Sequence, residues 1–171
     1  MDKNIILIGM AGCGKSTVGV LLAKALGYEF IDTDLIIQKQ EGKLLQEIIN
    51  SDGLEYFKRA EDRALCSVEA SRAVIATGGS AVYCERGMEH MKKDGVCVWL
   101  RLPYKEILRR INNIATRGIA IAPGKTLEDV FSEREPLYES YADITVDCVG
   151  DVEANVAHVI NKIGSNPQTV Y

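Results

Sequence analysis

The sequence predicts an α/β domain, a parallel β-sheet covered by helices on both faces. Short apolar runs at Ile5–Ile8, Tyr28–Ile31, Ala73–Ala76, Val96–Leu100 and Ile144–Val146 alternate with longer stretches of helical periodicity. Within the runs, apolar residues follow one another instead of alternating with polar ones, as strands buried on both faces require. The chain has 171 residues, 47% hydrophobic and 26% charged, enough for one domain with a real core and too short for two comfortable ones. No repeat, proline-rich linker or long single-sign charge run divides it.

Each element has its own signal. After Ile5–Ile8, apolar positions at Val18, Leu21, Leu22, Ala25 and Leu26 mark a helix that Gly27 ends. Tyr28–Ile31 is the second strand. Leu35–Gln40 and Leu44–Asn50 read as two short helices broken around Gly42. Leu54–Ser71 is a longer helix with Phe57, Ala60, Ala64, Leu65 and Val68 on one stripe. The third strand, Ala73–Ala76, runs into Thr77-Gly78-Gly79. Cys84–Lys93 is helical, Val96–Leu100 is the fourth strand, and Pro103 opens a helix that runs through Ile111. Residues 112–126 have no periodicity and hold Asn112, Asn113, Thr116, Gly118, Pro123 and Gly124. That is about as long as an irregular loop gets without a functional reason. Leu127–Ala142 is helical with an interruption expected at Pro136. Ile144–Val146 is the fifth strand, Val152–Ile163 a closing helix, and Ser165–Tyr171 a loose tail.

Composition excludes several classes. Lys and Arg number 20 against 24 Asp and Glu, for a net charge of -4, which argues against a nucleic-acid partner. No apolar run approaches the ~18 residues of a membrane span. Met1-Asp2-Lys3-Asn4 leads straight into the first strand, leaving no room for a signal-peptide core. The cysteines Cys13, Cys66, Cys84, Cys97 and Cys148 form no Cys-x-x-Cys pair, and their number is odd. A disulfide framework or structural zinc is not expected, and free thiols suit a reducing cytoplasm.

Gly9-Met10-Ala11-Gly12-Cys13-Gly14-Lys15-Ser16 matches the phosphate-loop pattern G-x-x-x-x-G-K-[ST], between a strand and a helix as that pattern requires. Its glycines let backbone N–H groups converge on phosphate oxygens, and the helix beginning near Lys15 adds its positive end. Gly12, Cys13, Gly14, Lys15, Ser16 and Thr17 are the expected nucleotide-binding set. Lys15 would reach the terminal phosphates and Ser16 a magnesium ion. A GTPase is excluded: Asp147-Cys148-Val149-Gly150 and Asn161-Lys162-Ile163-Gly164 lie too late in the chain, and the second lacks its final Asp.

Asp32 and Asp34 follow the second strand, at the sheet edge where such folds place their sites. Two acids one residue apart can divide metal binding from proton acceptance, and either can instead cap the following helix.

With these residues in place, the chain resembles the shikimate kinase family of phosphate-loop proteins. Gly9–Thr17, Phe30–Asp34, Gly53–Glu61, Ala76–Val82, Val98–Pro103, Arg109-Arg110, Arg117 and Arg134–Ala142 carry the resemblance. It implies a doubly wound five-stranded parallel sheet in the order 2-3-1-4-5, an acceptor-binding region near 33–62 and a lid near 112–124. It implies ATP and Mg²⁺, and a carboxylated hydroxy acceptor, shikimate first, in a single-domain cytoplasmic monomer. By the resemblance, Asp32 helps Ser16 hold Mg²⁺, and Asp34 bonds the acceptor hydroxyl and serves as base. Gly78 and Gly79 present backbone amides to the acceptor, with Ser80 beside them. Arg110 packs on adenine, Arg117 reaches the transferring phosphate, and Arg134 binds the acceptor carboxylate. Arg134 lies in Glu133-Arg134-Glu135 and could instead balance those charges; Tyr138 and Tyr141 read as packing residues. Lys58 stands where the family pattern has arginine, can pair with Glu61 at i, i+3, and is placed on the acceptor side. Ser80 stands where the pattern has a third glycine, and Gly118 where it has proline. Another small hydroxy acid or polyol as acceptor, or a non-catalytic nucleotide sensor, are the alternatives these positions leave open.

Overall fold

The computed structural model describes residues 3–111 and 119–166. Five strands, β1 (Asn4–Ile8), β2 (Glu29–Asp32), β3 (Ala73–Ala76), β4 (Gly95–Arg101) and β5 (Ile144–Asp147), form one sheet in the order β2-β3-β1-β4-β5. Every neighbouring pair is parallel, with Leu7 opposite both Ala76 and Val98. The order and the doubly wound class match the expectation.

The helices are α1 (Lys15–Leu26), α2 (Thr33–Glu41), α3 (Leu45–Asp52), α4 (Leu54–Cys66), α5 (Glu85–Lys93), α6 (Tyr104–Ile111), α7 (Leu127–Tyr141) and α8 (Val152–Ser165). Successive residues of a strand face opposite sides of a sheet. Leu7 turns toward Gly19 of α1, while Ile6 turns toward the end of α5 beside Gly95. Ile5, Ile6, Leu7 and Ile8 are all 0% exposed, which explains why β1 reads as an unbroken apolar run. A smaller apolar cluster of Ile37, Leu45, Ile48, Phe57, Ala60 and Ala64 binds α2, α3 and α4 into a second body beside the sheet, and Ala120 is tucked into it.

Several boundaries differ from the sequence reading. Helix α4 stops at Cys66, because the Ser67 hydroxyl turns back onto the Ala64 carbonyl at 2.8 Å. Pro136 does not interrupt α7. The carbonyl that loses its donor belongs to Ser132, and both residues lie on the exposed face, where water replaces the missing N–H. A 3₁₀ turn, Ala81–Tyr83, follows the glycines after β3 and was not expected. Helix α8 continues through Ser165, so only 167–171 of the expected tail lies outside the described residues. Among the described residues no helix is long and apolar enough to cross a membrane, and the five cysteines are free.

Candidate active site

The carboxyl ends of β1, β2 and β3 meet at one cavity of about 330 Å³. Its floor is the phosphate loop. Gly9, Gly12 and Gly14 take φ of 142°, 82° and 99°, in the region that favours glycine. Gly9 also passes so close to β4 that an added Cβ would lie 2.7 Å from the Leu100 carbonyl oxygen. Gly12, Gly14, Lys15, Ser16 and Thr17 of the expected nucleotide-binding set line the cavity. Cys13 does not. Its side chain is buried behind the loop, and its N–H closes the turn by donating to the Met10 carbonyl at 3.2 Å. The Lys15 ammonium folds across its own loop and donates to the Gly9 and Met10 carbonyls at 2.6 and 2.9 Å. Those bonds satisfy a buried ammonium.

Asp32 caps the helix that follows it and also meets the phosphate loop. Oδ1 accepts from the Asp34 N–H at 3.0 Å and caps α2, while Oδ2 accepts from the Ser16 hydroxyl at 2.8 Å. Asp34, half-buried, projects into the cavity. Burial first, and the Asp32 charge second, push its carboxyl up to about 6 against the pull of Lys15.

The acceptor side is built by α4, α7 and the loop after β3. Gly78 and Gly79 lie on the cavity wall, with no room for side chains. An added Cβ at Gly78 would collide with Glu61 Oε1 and come within 3.0 Å of Asp34 Oδ1; one at Gly79 would lie 3.2 Å from an Arg134 Nη. Arg134 is 2% exposed and faces the cavity, which rules out a role in balancing its neighbours Glu133 and Glu135 at the surface. One Nη donates to the Ala120 carbonyl at 2.8 Å, and the guanidinium sits 5.4 Å from the Tyr83 ring centre. Tyr138, one turn further along α7, stacks on Trp99 and donates to the Gly79 carbonyl at 2.5 Å. It is a packing residue, as expected, and it also fixes the glycine loop.

Glu61 is the member that sequence reasoning missed. It is 0% exposed, lines the cavity and accepts from the Ser80 hydroxyl at 2.5 Å. Burial pushes its carboxyl up to about 7, with Ser80 opposing. The signal was an acid one turn after Phe57, on the apolar stripe of a helix where an unpaired carboxylate is rarely found.

Lys58 departs from its expected place. Its ammonium pairs with Glu55 at 3.0 Å, not with Glu61, and lies over the Tyr83 ring at 5.5 Å. It borders a smaller cavity of about 160 Å³, shared with Ser80, Tyr83, Lys125 and Arg134. Glu61 is taken by Ser80, and the partner left within reach of Lys58 is at the surface. Arg110 is exposed on α6, where its Cβ and the Ile111 side chain back Gly12. Arg117 lies outside the described residues, as does the lid segment through Gly118.

The shikimate kinase family model matches residues 11–164. The chain belongs to the shikimate kinase family. It is 35% identical to shikimate kinase 2 of Dickeya chrysanthemi over 172 aligned residues, covering 95% of this chain and 97% of that protein. It is 37% identical to the shikimate kinase of Moorella thermoacetica, over 95% and 94% of the two chains. The shikimate kinase of Acinetobacter baumannii, solved in complex with shikimate, superimposes with a TM-score of 0.87 at 30% identity, over 96% of this chain and 94% of that one. Membership of the shikimate kinase family accounts for a phosphate loop and an acidic, arginine-bearing pocket sharing one cavity.

Proposed function

We propose that this chain transfers the γ-phosphoryl group of ATP to a hydroxyl of shikimate, giving shikimate 3-phosphate and ADP. One observation carries the reading: Asp34 of α2 and Arg134 of α7 line the same cavity as the phosphate loop. The loop N–H groups and Lys15 hold the phosphates. Arg134 offers a planar pair of donors to the acceptor carboxylate. Asp34 takes the proton of the attacking hydroxyl as its oxygen bonds to the γ-phosphorus and the β–γ bridging oxygen departs with ADP. An acid poised near 6 is ionised at neutral pH and close enough in basicity to accept that proton.

Ser16 and Asp32 fit a hard cation. Their oxygens lie 2.8 Å apart at the cavity edge, and a hydroxyl beside a carboxylate suits Mg²⁺ completed by water and phosphate oxygens. The ion would neutralise charge on the β- and γ-phosphates. Among the described residues no group of three or more His, Cys, Asp or Glu could hold a metal ion. Residues 33–62 serve as the acceptor region and 112–124 as the lid of one kinase domain, with Arg117 on the transferring phosphate and Arg110 against adenine.

A coupled ADP-release assay tests the reading. Shikimate should give saturable turnover, and Asp34→Asn should lower kcat by about 10²–10⁴-fold, the usual worth of a general base. Intact ATP binding without shikimate turnover would refute it. A second acceptor, another small hydroxy acid, is favoured by the outward turn of Lys58. A screen of such acids that leaves shikimate best by a wide margin removes it.

A further inference from the structure

Glu61 and Arg134 form an unusual pair of neighbours. They contact adjacent glycines, Gly78 and Gly79, in one cavity wall, and are 0% and 2% exposed. An arginine beside a buried carboxylate ordinarily takes it with two parallel hydrogen bonds, since either charge alone is costly to bury. Here they stay apart. Among the described residues no ion pair joins Glu61 to a cation or Arg134 to a carboxylate. Arg134 Nε and Glu61 Oε1 are both buried without a hydrogen-bond partner. What engages Glu61 instead is the Ser80 hydroxyl, 4% exposed, at 2.5 Å from Oε2. Lys58, one turn before Glu61, is occupied by Glu55 and Tyr83. The charged groups acting on Glu61 are Asp34, Arg134 and Lys15, from α2, α7 and α1.

We propose that Ser80 is a positioning residue for acceptor recognition: by holding Glu61, it keeps the buried Arg134 guanidinium open for the carboxylate of the acceptor. The inference rests on the role given to Arg134 in the proposed function. It makes the pocket a preformed anion site, with a desolvated donor set that Glu61 would otherwise fill. Ser80 thereby acts on specificity through two other side chains, favouring anionic acceptors over neutral polyols of the same size.

The test uses the full chain. Ser80→Ala lets Glu61 swing to Arg134, so the KM for shikimate should rise about tenfold or more while that for ATP stays near wild type. Glu61→Gln in the Ser80→Ala background should return the shikimate KM to within about threefold of wild type, because a neutral amide cannot neutralise the guanidinium. An unchanged KM in the single variant, or a loss that persists in the double, overturns the proposal. A second readout needs no turnover: a ¹³C-carboxyl titration of Glu61 in the ligand-free protein. Losing a donor alone raises the carboxyl pKa, whereas pairing with Arg134 lowers it. A fall in Ser80→Ala supports the proposal, and a rise or no change overturns it. If the wild-type protein does not phosphorylate shikimate, the proposed function fails and the titration still decides what Ser80 does.

Discussion

Asp34 and Glu61 are acids whose protons are held by their surroundings. Burial is the larger cause for both, raising the carboxyls from ordinary values of 3.8 and 4.5 to about 6 and about 7. In the role proposed for it Asp34 reacts as the carboxylate, so kcat/KM for shikimate should climb with pH through about 6 and then level off in a pH–rate profile. Stability should move the other way. Between the ordinary values and the raised ones, the folded protein keeps protons that the unfolded chain has already released. The contribution of these two groups is full below about 4 and is lost as pH rises through about 6 to 7. Urea midpoints of wild type and Glu61→Gln, compared from about pH 4 to 8, read this directly: the wild type should lose ground to the variant as pH rises. At this scale the sequence was informative where a motif fixes geometry. Ser16, Asp32 and Asp34 sit where the spacing after β1 and β2 put them. The bond between Glu61 and Ser80 escaped because their meeting depends on α4 packing against the loop after β3, a contact that no local pattern records.

The strands were legible because burial on both faces leaves nothing polar in them. Asp151 accepts from the Ala154 N–H at 2.8 Å at the head of α8. Asp151→Ala should cost about 1 kcal/mol of stability by chemical denaturation. Helix continuity was read less well. Pro136 looked like a break because sequence alone does not show which face its orphaned carbonyl meets. Exposure of Ser132 settles that, and an unbroken α7 is what carries Arg134 and Tyr138 to the cavity one turn apart. The end of α4 was placed too late because the buried stripe continues through Val68 after the helix itself has closed.

For the molecule as a whole, four of the five thiols are buried and only Cys66 is partly open. Burial pushes Cys97 and Cys148 up to about 12 and Cys84 higher still. A thiol-reactive dye should label Cys66 first in the native state, and the rest only as the fold opens. Simultaneous reaction of several thiols in the native protein would contradict this packing.

The Tyr138 phenol touches both halves of the site: it lies 2.5 Å from the Gly79 carbonyl and 3.6 Å from the sulfur of Met10 in the phosphate loop. A single rigid ring thus braces the backbones of the phosphate loop and of the loop after β3. Both loops bear on one strut, and under the proposed function any factor by which ATP changes the affinity for shikimate must be returned by shikimate in full.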